Sequence, residues 1–228
     1  KGSAAVEASA ESLKLSDFCL YSGDNGLCSS AEGDVSGTWS TRVEGLRFSL
    51  SKLDEWGVLS PRLNGVVQGE ITAAGTGAVL SQLDGNLEVP ELELDADVDE
   101  VYPELKWFTT RVETDLAEET LRLSITSRFV DGSSIKGAIR IEQFGDLSGV
   151  MTDLPVSGSV DLMVRDLSPL AIITGSYLVP SGRLSTSLSL SGKLGAPVVD
   201  GTLRLENGKL TLPELGVTFN EVEGDVSS

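Results

Sequence analysis

In the stretch ETLRLSITS, Leu121, Leu123 and Ile125 are spaced by two, with Arg122 and Ser124 between them. Side chains on a strand swap faces at every residue, so this alternation describes a half-buried strand and excludes a helix of the same length. The pattern keeps returning. Ile139 and Ile141 carry it in GAIRIEQ, Val160, Leu162 and Val164 in GSVDLMVRD, and Leu184, Leu188 and Leu190 in GRLSTSLSLSG. Between the runs lie turn signals at Asp84-Gly85, Asp131-Gly132, Gly145-Asp146, Ser157-Gly158 and Asn207-Gly208. Strands of this length at such spacing predict an antiparallel meander.

The segment GTLRLENGKLTLPELGVTF shows the expected local geometry best. A two-residue turn at Asn207-Gly208 would set Leu205 opposite Leu210, Leu203 opposite Leu212 and Glu206 opposite Lys209. One face would then be all leucine. LEVPEL (Leu87 to Leu92) and LTLPEL (Leu210 to Leu215) share a layout in which the apolar parity flips across Pro-Glu. Proline cannot donate to a ladder, so a bulge or corner is expected there, keeping the leucines on one face. That extends the apolar set to Leu215, Val217 and Phe219. Helix is scarce: SPLAIITGSYL, with Ser168 as N-cap and Pro169 at the first helical position, and KLDEWG around Trp56 are the two short candidates.

Cys19 and Cys28 flank a Gly23-Asp24 turn of the glycine-first type, which places them opposite each other. In a non-hydrogen-bonded pair their Cα atoms would be ~4.5 Å apart, at the short end of disulfide geometry. A disulfide is the expectation, and with it an oxidising compartment. The alternatives are two unpaired cysteines acting as small hydrophobes, or a metal-binding pair. A metal is disfavoured because a nine-residue separation is not a finger spacing and the chain has no histidine.

Catalytic groups do not converge. Without histidine the commonest general base is absent. In ELELDADVDE, Glu91, Glu93, Asp95, Asp97 and Asp99 alternate with Leu92, Leu94, Ala96 and Val98, which reads as the wet side of a strand, and no glycine bends it into a calcium loop. Ser185, Ser187 and Ser189 are the polar side of another strand, with no base to activate them. GTGAV (Gly75 to Val79) has no phosphate-loop lysine and reads as a turn. The expectation is no enzyme, no cofactor and no metal. A formal charge of −18 argues against nucleic acid and against adsorption to an anionic membrane surface.

No apolar run approaches the ~18 residues that span a bilayer. The chain starts at Lys1 and stops in the middle of a strand pattern, so it is expected to be one continuous segment of a longer protein, residues 1–228, with a subdivision near 150 (1–150 and 151–228) as the other reading. About fifteen strands at ~4.8 Å each would give a sheet ~70 Å long. Its aliphatic face needs a cover: a second sheet, closure into a barrel, or something that fills a trough left open.

A resemblance bears on that choice. The stretch from Val156 to Val226 is similar to the C-terminal half of the TamB family, large AsmA-like proteins of Gram-negative bacteria and their descendants. The similar features are the strand and short helix ending in a Gly/Pro-rich corner (Asp166 to Gly182), SGKLGAPVVDGTLRLENGKL (Ser191 to Leu210) and LPELGVTFNEVEG (Leu212 to Gly224). DFCLYSGDNGLCSSAEGDVSGTW (Asp17 to Trp39) resembles the cysteine hairpin and following strand of the same family. The resemblance implies an all-β fold, a long antiparallel sheet folded lengthwise into an open β-taco with a hydrophobic groove. It implies a periplasmic protein whose full-length form is anchored in the inner membrane by a helix this chain lacks. It also implies a bridge moving phospholipid toward the outer membrane, an Omp85-type partner there, and a part in assembling outer-membrane proteins. Two function classes follow: a lipid conduit lined by the aliphatic residues named above, or a factor that templates unfolded client strands at a sheet edge. A closed adhesin-like sandwich or solenoid spacer is the third.

Overall fold

The computed structural model describes residues 4–51, 62–95, 105–146, 149, 151–168, 179–212 and 216–227. Nearly all of them belong to one antiparallel sheet. Its strands are β1 (Ala5–Ala8), β2 (Ser12–Ser22), β3 (Asn25–Asp34), β4 (Thr38–Ser49), β5 (Arg62–Thr76), β6 (Val79–Val89) and β7 (Leu92–Asp95). Then come β8 (Leu105–Ala117), β9 (Thr120–Phe129), β10 (Ser134–Ile141), β11 (Val156–Val164), β12 (Val179–Lys193), β13 (Ala196–Leu212) and β14 (Val217–Ser227). Each strand pairs with its neighbour in sequence, apart from β7, which lies beyond β6 and pairs with β5 and β8. Among the described strands β1 and β14 do not meet, so the sheet is open and not a barrel. Helix is nearly absent, as expected: a single 3-10 turn at Met151–Asp153 is seen among the described residues. The two helix candidates, after Ser168 and around Trp56, lie outside the described residues.

The bend expected at Pro90-Glu91 is present. Gln68 faces Glu88 and Gly65 faces Leu92, so the β6–β7 line carries one residue more than β5 across the same span. That extra residue restores the leucines to one face after their parity flips. The second Pro-Glu belongs to a reversal, since Leu212 pairs with Val217 and the segment 213–215 lies outside the described residues.

Three of the five turn signals fall inside strands. Asp84-Gly85 lies within β6, Ser157-Gly158 within β11 and Asn207-Gly208 within β13. The Asn207-Gly208 hairpin is therefore corrected: Leu205 pairs with Leu184 and Gly224, while Leu210 pairs with Pro180 and Phe219. Asn207 does take the left-handed backbone that Asn-Gly favours, at φ 51°, but as a bulge that shifts the register against both neighbours. A bulge lets β13 run on and pair with β12 and β14 through both of its halves, and each added pair satisfies two backbone groups. Gly85 marks a packing constraint, because a Cβ there would sit 2.7 Å from the Thr114 methyl.

The turn at Gly23-Asp24 stands as expected, with Cys19 paired to Cys28, Cα atoms 4.0 Å apart and the sulfurs joined as a disulfide.

Candidate functional site

Following the register across the sheet separates two faces. One row runs Leu87, Val112, Ile125, Gly137, Val160, Leu188 and Gly201 from β6 to β13. Beside it run Leu123, Ile139, Gly158, Leu190 and Val199. Towards the far end come Leu162 with Thr186 and Leu203, Val164 with Leu184 and Leu205, Leu210 with Phe219, and Leu212 with Val217. All the aliphatic candidates except Leu215, which lies outside the described residues, thus share one face. Leu203, Leu205, Leu210 and Leu212 stay on that face even though their hairpin does not form, because the bulge at Asn207 supplies the same phase change. At Gly137 a Cβ would come within 2.9 Å of the Ile125 side chain, so the glycine makes room for its neighbour in the apolar row.

The opposite face is polar. Its matching row reads Glu88, Arg111, Thr126, Lys136, Asp161, Ser187 and Thr202. The serines of β12 lie here: the Ser187 hydroxyl donates to Asp161 at 2.7 Å and that of Ser189 to the Asp200 carbonyl at 3.3 Å. The disulfide lies on this face too, with the Tyr21 hydroxyl 3.2 Å from the Cys28 sulfur. Of the carboxylate run, Glu93 and Asp95 belong to β7, and residues 96–100 lie outside the described residues. Gly75 and Gly77 flank the β5–β6 turn, where the Trp39 indole donates to the Gly77 carbonyl at 3.0 Å. Among the described residues no group of three or more potential metal ligands comes together.

The apolar face is covered along one margin, the one formed by the turns after β3, β5, β8, β10 and β12. There Leu80, Leu116, Leu121, Ile141 and Val156 are only 4–9% exposed, with Trp39, Phe144 and Leu154 packed against them. The cover is the connection between β10 and β11. Its Gly145 carbonyl accepts from Leu80 N at 2.7 Å, Phe144 N donates to the Glu119 carbonyl, and the Leu154 and Thr152 carbonyls accept from Leu194 and Gly195. Asp153 completes the tie with an ion pair to Lys193 at 2.8 Å. This strap reaches from β6 to the β12–β13 turn, and the alternation of the strands does not announce it. Away from it the same face is exposed in part: Ile125 is 38% exposed, Leu203 39%, Val217 40% and Phe219 51%, whereas Ser127 is 3% exposed, and no described side chain is fully buried. A sizeable apolar surface that protein leaves uncovered marks a binding site. Among the described residues no second sheet lies over it.

Among the described residues two ionisable groups are perturbed, both at the covered margin's turns. The Ser36 hydroxyl, and after it the Thr38 amide, hold the Asp34 carboxyl below its ordinary value. Lys193 does the same for Asp153, by hydrogen bond and by charge. Each stabilises a turn, and neither lies near a group it could activate.

Comparison with known proteins follows the fold. The family described as "TamB, N-terminal domain" matches residues 3–205. No curated protein and no solved structure matches the chain. The position suggested by the resemblance, in the C-terminal half, is corrected to the N-terminal domain: glycine-punctuated leucine strands recur along a sheet of this kind, and a short stretch of them does not fix the location. The family's proteins are transport and assembly components of the bacterial envelope that work with an outer-membrane partner. With the match covering most of its length, the chain belongs to the TamB family.

Proposed function

We propose that the apolar face is a segment of a lipid conduit, in which phospholipid acyl chains lie along the aliphatic rows while headgroups remain in water. The observation that carries this reading is the continuity of that face from β6 to β14 together with its exposure away from the strap. The lining is aliphatic, suits acyl chains of varied length and presents no catalytic group among the described residues. Thirteen strands along the main path give twelve steps, a span of about 58 Å at ~4.8 Å each. On this reading residues 1–228 are one continuous stretch of a periplasmic trough. The parent protein is anchored in the inner membrane and delivers phospholipid towards an Omp85-type partner.

The test is Leu205→Arg. In an open trough the guanidinium reaches water along its own stem and the fold survives, but the apolar path is interrupted, so phospholipid co-purifying with the protein falls. Arg204→Leu, on the polar face, leaves the lipid content unchanged. If Leu205→Arg abolishes cooperative unfolding, protein covers these leucines and the conduit reading fails.

A second reading rests on the outer side of β14, which pairs with no described strand over its eleven residues. An unpaired edge of that length can accept an extended client strand. Crosslinks from unfolded outer-membrane proteins to Val217–Ser227, in protein free of lipid, would favour assembly over transport.

A further inference from the structure

The polar face holds a concavity of about 810 Å³ beside the turn between β9 and β10. Three cations line it: Arg111 on β8, Arg128 on β9 and Lys136 on β10. Arg111 and Lys136 both face Thr126, and Arg128 stands two residues along from it. That places Arg128 diagonally from each, ~7–8 Å away by sheet geometry. The pocket also carries two carboxylates, Glu88 and Glu113, which offset part of this charge. Glu88 sits 3.6 Å from Arg111, and Glu113 accepts from the Ser124 hydroxyl at 3.3 Å. Arg128 and Lys136 have no ion pair with a described residue. Arg165 adds a fourth cation at the rim, its guanidinium 3.1 Å from where a Cβ would sit at Gly132 and its backbone amide donating to the Ser133 hydroxyl at 2.8 Å. The Asp131 carboxylate, also at this turn, is engaged by the Ser133 amide and hydroxyl.

Like charges on adjacent strands repel, and this chain carries 35 acidic residues against 17 basic ones. Acidic partners are abundant, yet Arg128 and Lys136 share a cavity lined besides by Glu88, Glu113, Phe129 and hydroxyls such as those of Thr109 and Ser134. The opposite margin has the reverse character, with Glu118, Glu119, Glu142, Asp146 and Asp153 around the strap.

We propose that this pocket binds a phosphate group, with Arg128 and Lys136 as its principal ligands. An arginine fork matches two phosphate oxygens and a lysine supplies a point charge. The pocket lies at the Gly132–Ser133 turn, on the margin opposite the strap, so a phosphate there could belong to a lipid whose tails lie on the apolar face. That assignment of the source rests on the conduit reading, whereas the phosphate site itself does not.

The experiment is calorimetric titration of the protein with glycerol 3-phosphate, alongside phosphorus assay of co-purified lipid. Arg128→Gln/Lys136→Gln, both exposed positions, should weaken glycerol 3-phosphate binding at least tenfold with an unchanged melting temperature. Arg122→Gln, elsewhere on the polar face, should leave it intact. No binding by the unsubstituted protein, or equal binding by the double variant, overturns the site. If the double variant also loses phospholipid, the phosphate is a headgroup; if lipid content is unchanged, the ligand is a soluble phosphate ester. Binding of glycerol 3-phosphate by protein that carries no lipid would keep the pocket and remove the conduit.

Discussion

At Gly75 the backbone of β5 passes so close to the β6 strand that a Cβ would lie 2.2 Å from the Val79 carbonyl and 2.9 Å from the Trp39 ring. Gly75→Ala should therefore cost about 1–3 kcal/mol through overpacking. Gly224→Ala meets nothing within 4 Å and should stay within about 0.5 kcal/mol of the parent. Urea denaturation of both variants checks the contrast, which fails if the two lose stability equally. Asp34 offers a second check at this scale. Its carboxylate accepts from the Ser36 hydroxyl at 2.5 Å, the Ser36 amide at 2.9 Å and the Thr38 amide at 3.0 Å. Because these bonds favour the charged form, the folded pKa lies below the ordinary 3.8. The turn's contribution is present above the unfolded value and is lost as pH falls through the folded one. A carboxyl titration by NMR should give a midpoint below 3.8 for Asp34, and a midpoint above it would refute the hydrogen-bond account.

Between strands, the same residue type has two different meanings. Leu121 is 6% exposed beneath the strap and Leu203 is 39% exposed on the open part of the face. Truncating a buried leucine removes transfer energy and leaves a cavity, so Leu121→Ala should cost about 2–5 kcal/mol. Leu203→Ala leaves a surface open to water and should cost well under half of that. Thermal melts of the two variants, and a lipid assay on Leu203→Ala, separate leucines that hold the fold from those assigned to the proposed conduit. The disulfide acts on the β2–β3 hairpin alone. Cys19 and Cys28 close a loop with a sequence separation of 9, worth about 2.5 kcal/mol in the chain-entropy model. Reduction should lower the melting temperature, and alkylation of the untreated protein should label neither cysteine. Two freely labelled thiols in folded protein would contradict the pairing.

At the scale of the molecule, thirteen described strands in sequence order form a main path whose first and last members do not pair. β1 is four residues long and Val6 on it is 64% exposed, whereas β14 offers eleven residues. The longer edge is the stronger template, so association should proceed through β14. Sedimentation over a wide concentration range should show dimers that Phe219→Lys and Val222→Pro together suppress. Association unaffected by both changes would move the contact elsewhere.

The class of fold was legible in the alternation itself. A period of two forces strands, aliphatic residues on one parity force a two-faced sheet, and the turn at Gly23-Asp24 was enough to bring Cys19 to Cys28. The aliphatic candidates could be assigned to one face from Leu121 to Phe219 because parity, with its phase changes at the Asn207 bulge and at the reversal between Leu212 and Val217, survives an error in where the turns fall. The turns themselves were less legible. Asn207-Gly208 and Ser157-Gly158 carry the chemistry of turns, but local chemistry allows a left-handed residue or a missing side chain to serve equally as a bulge or a packing gap. Which one forms depends on whether neighbouring strands such as β12 and β14 are there to pair with both halves. For the same reason the sequence could not announce the strap over Leu80 and Leu121, nor the meeting of Arg111, Arg128 and Lys136. Those juxtapositions are set by register between strands, a long-range quantity that only the assembled sheet decides.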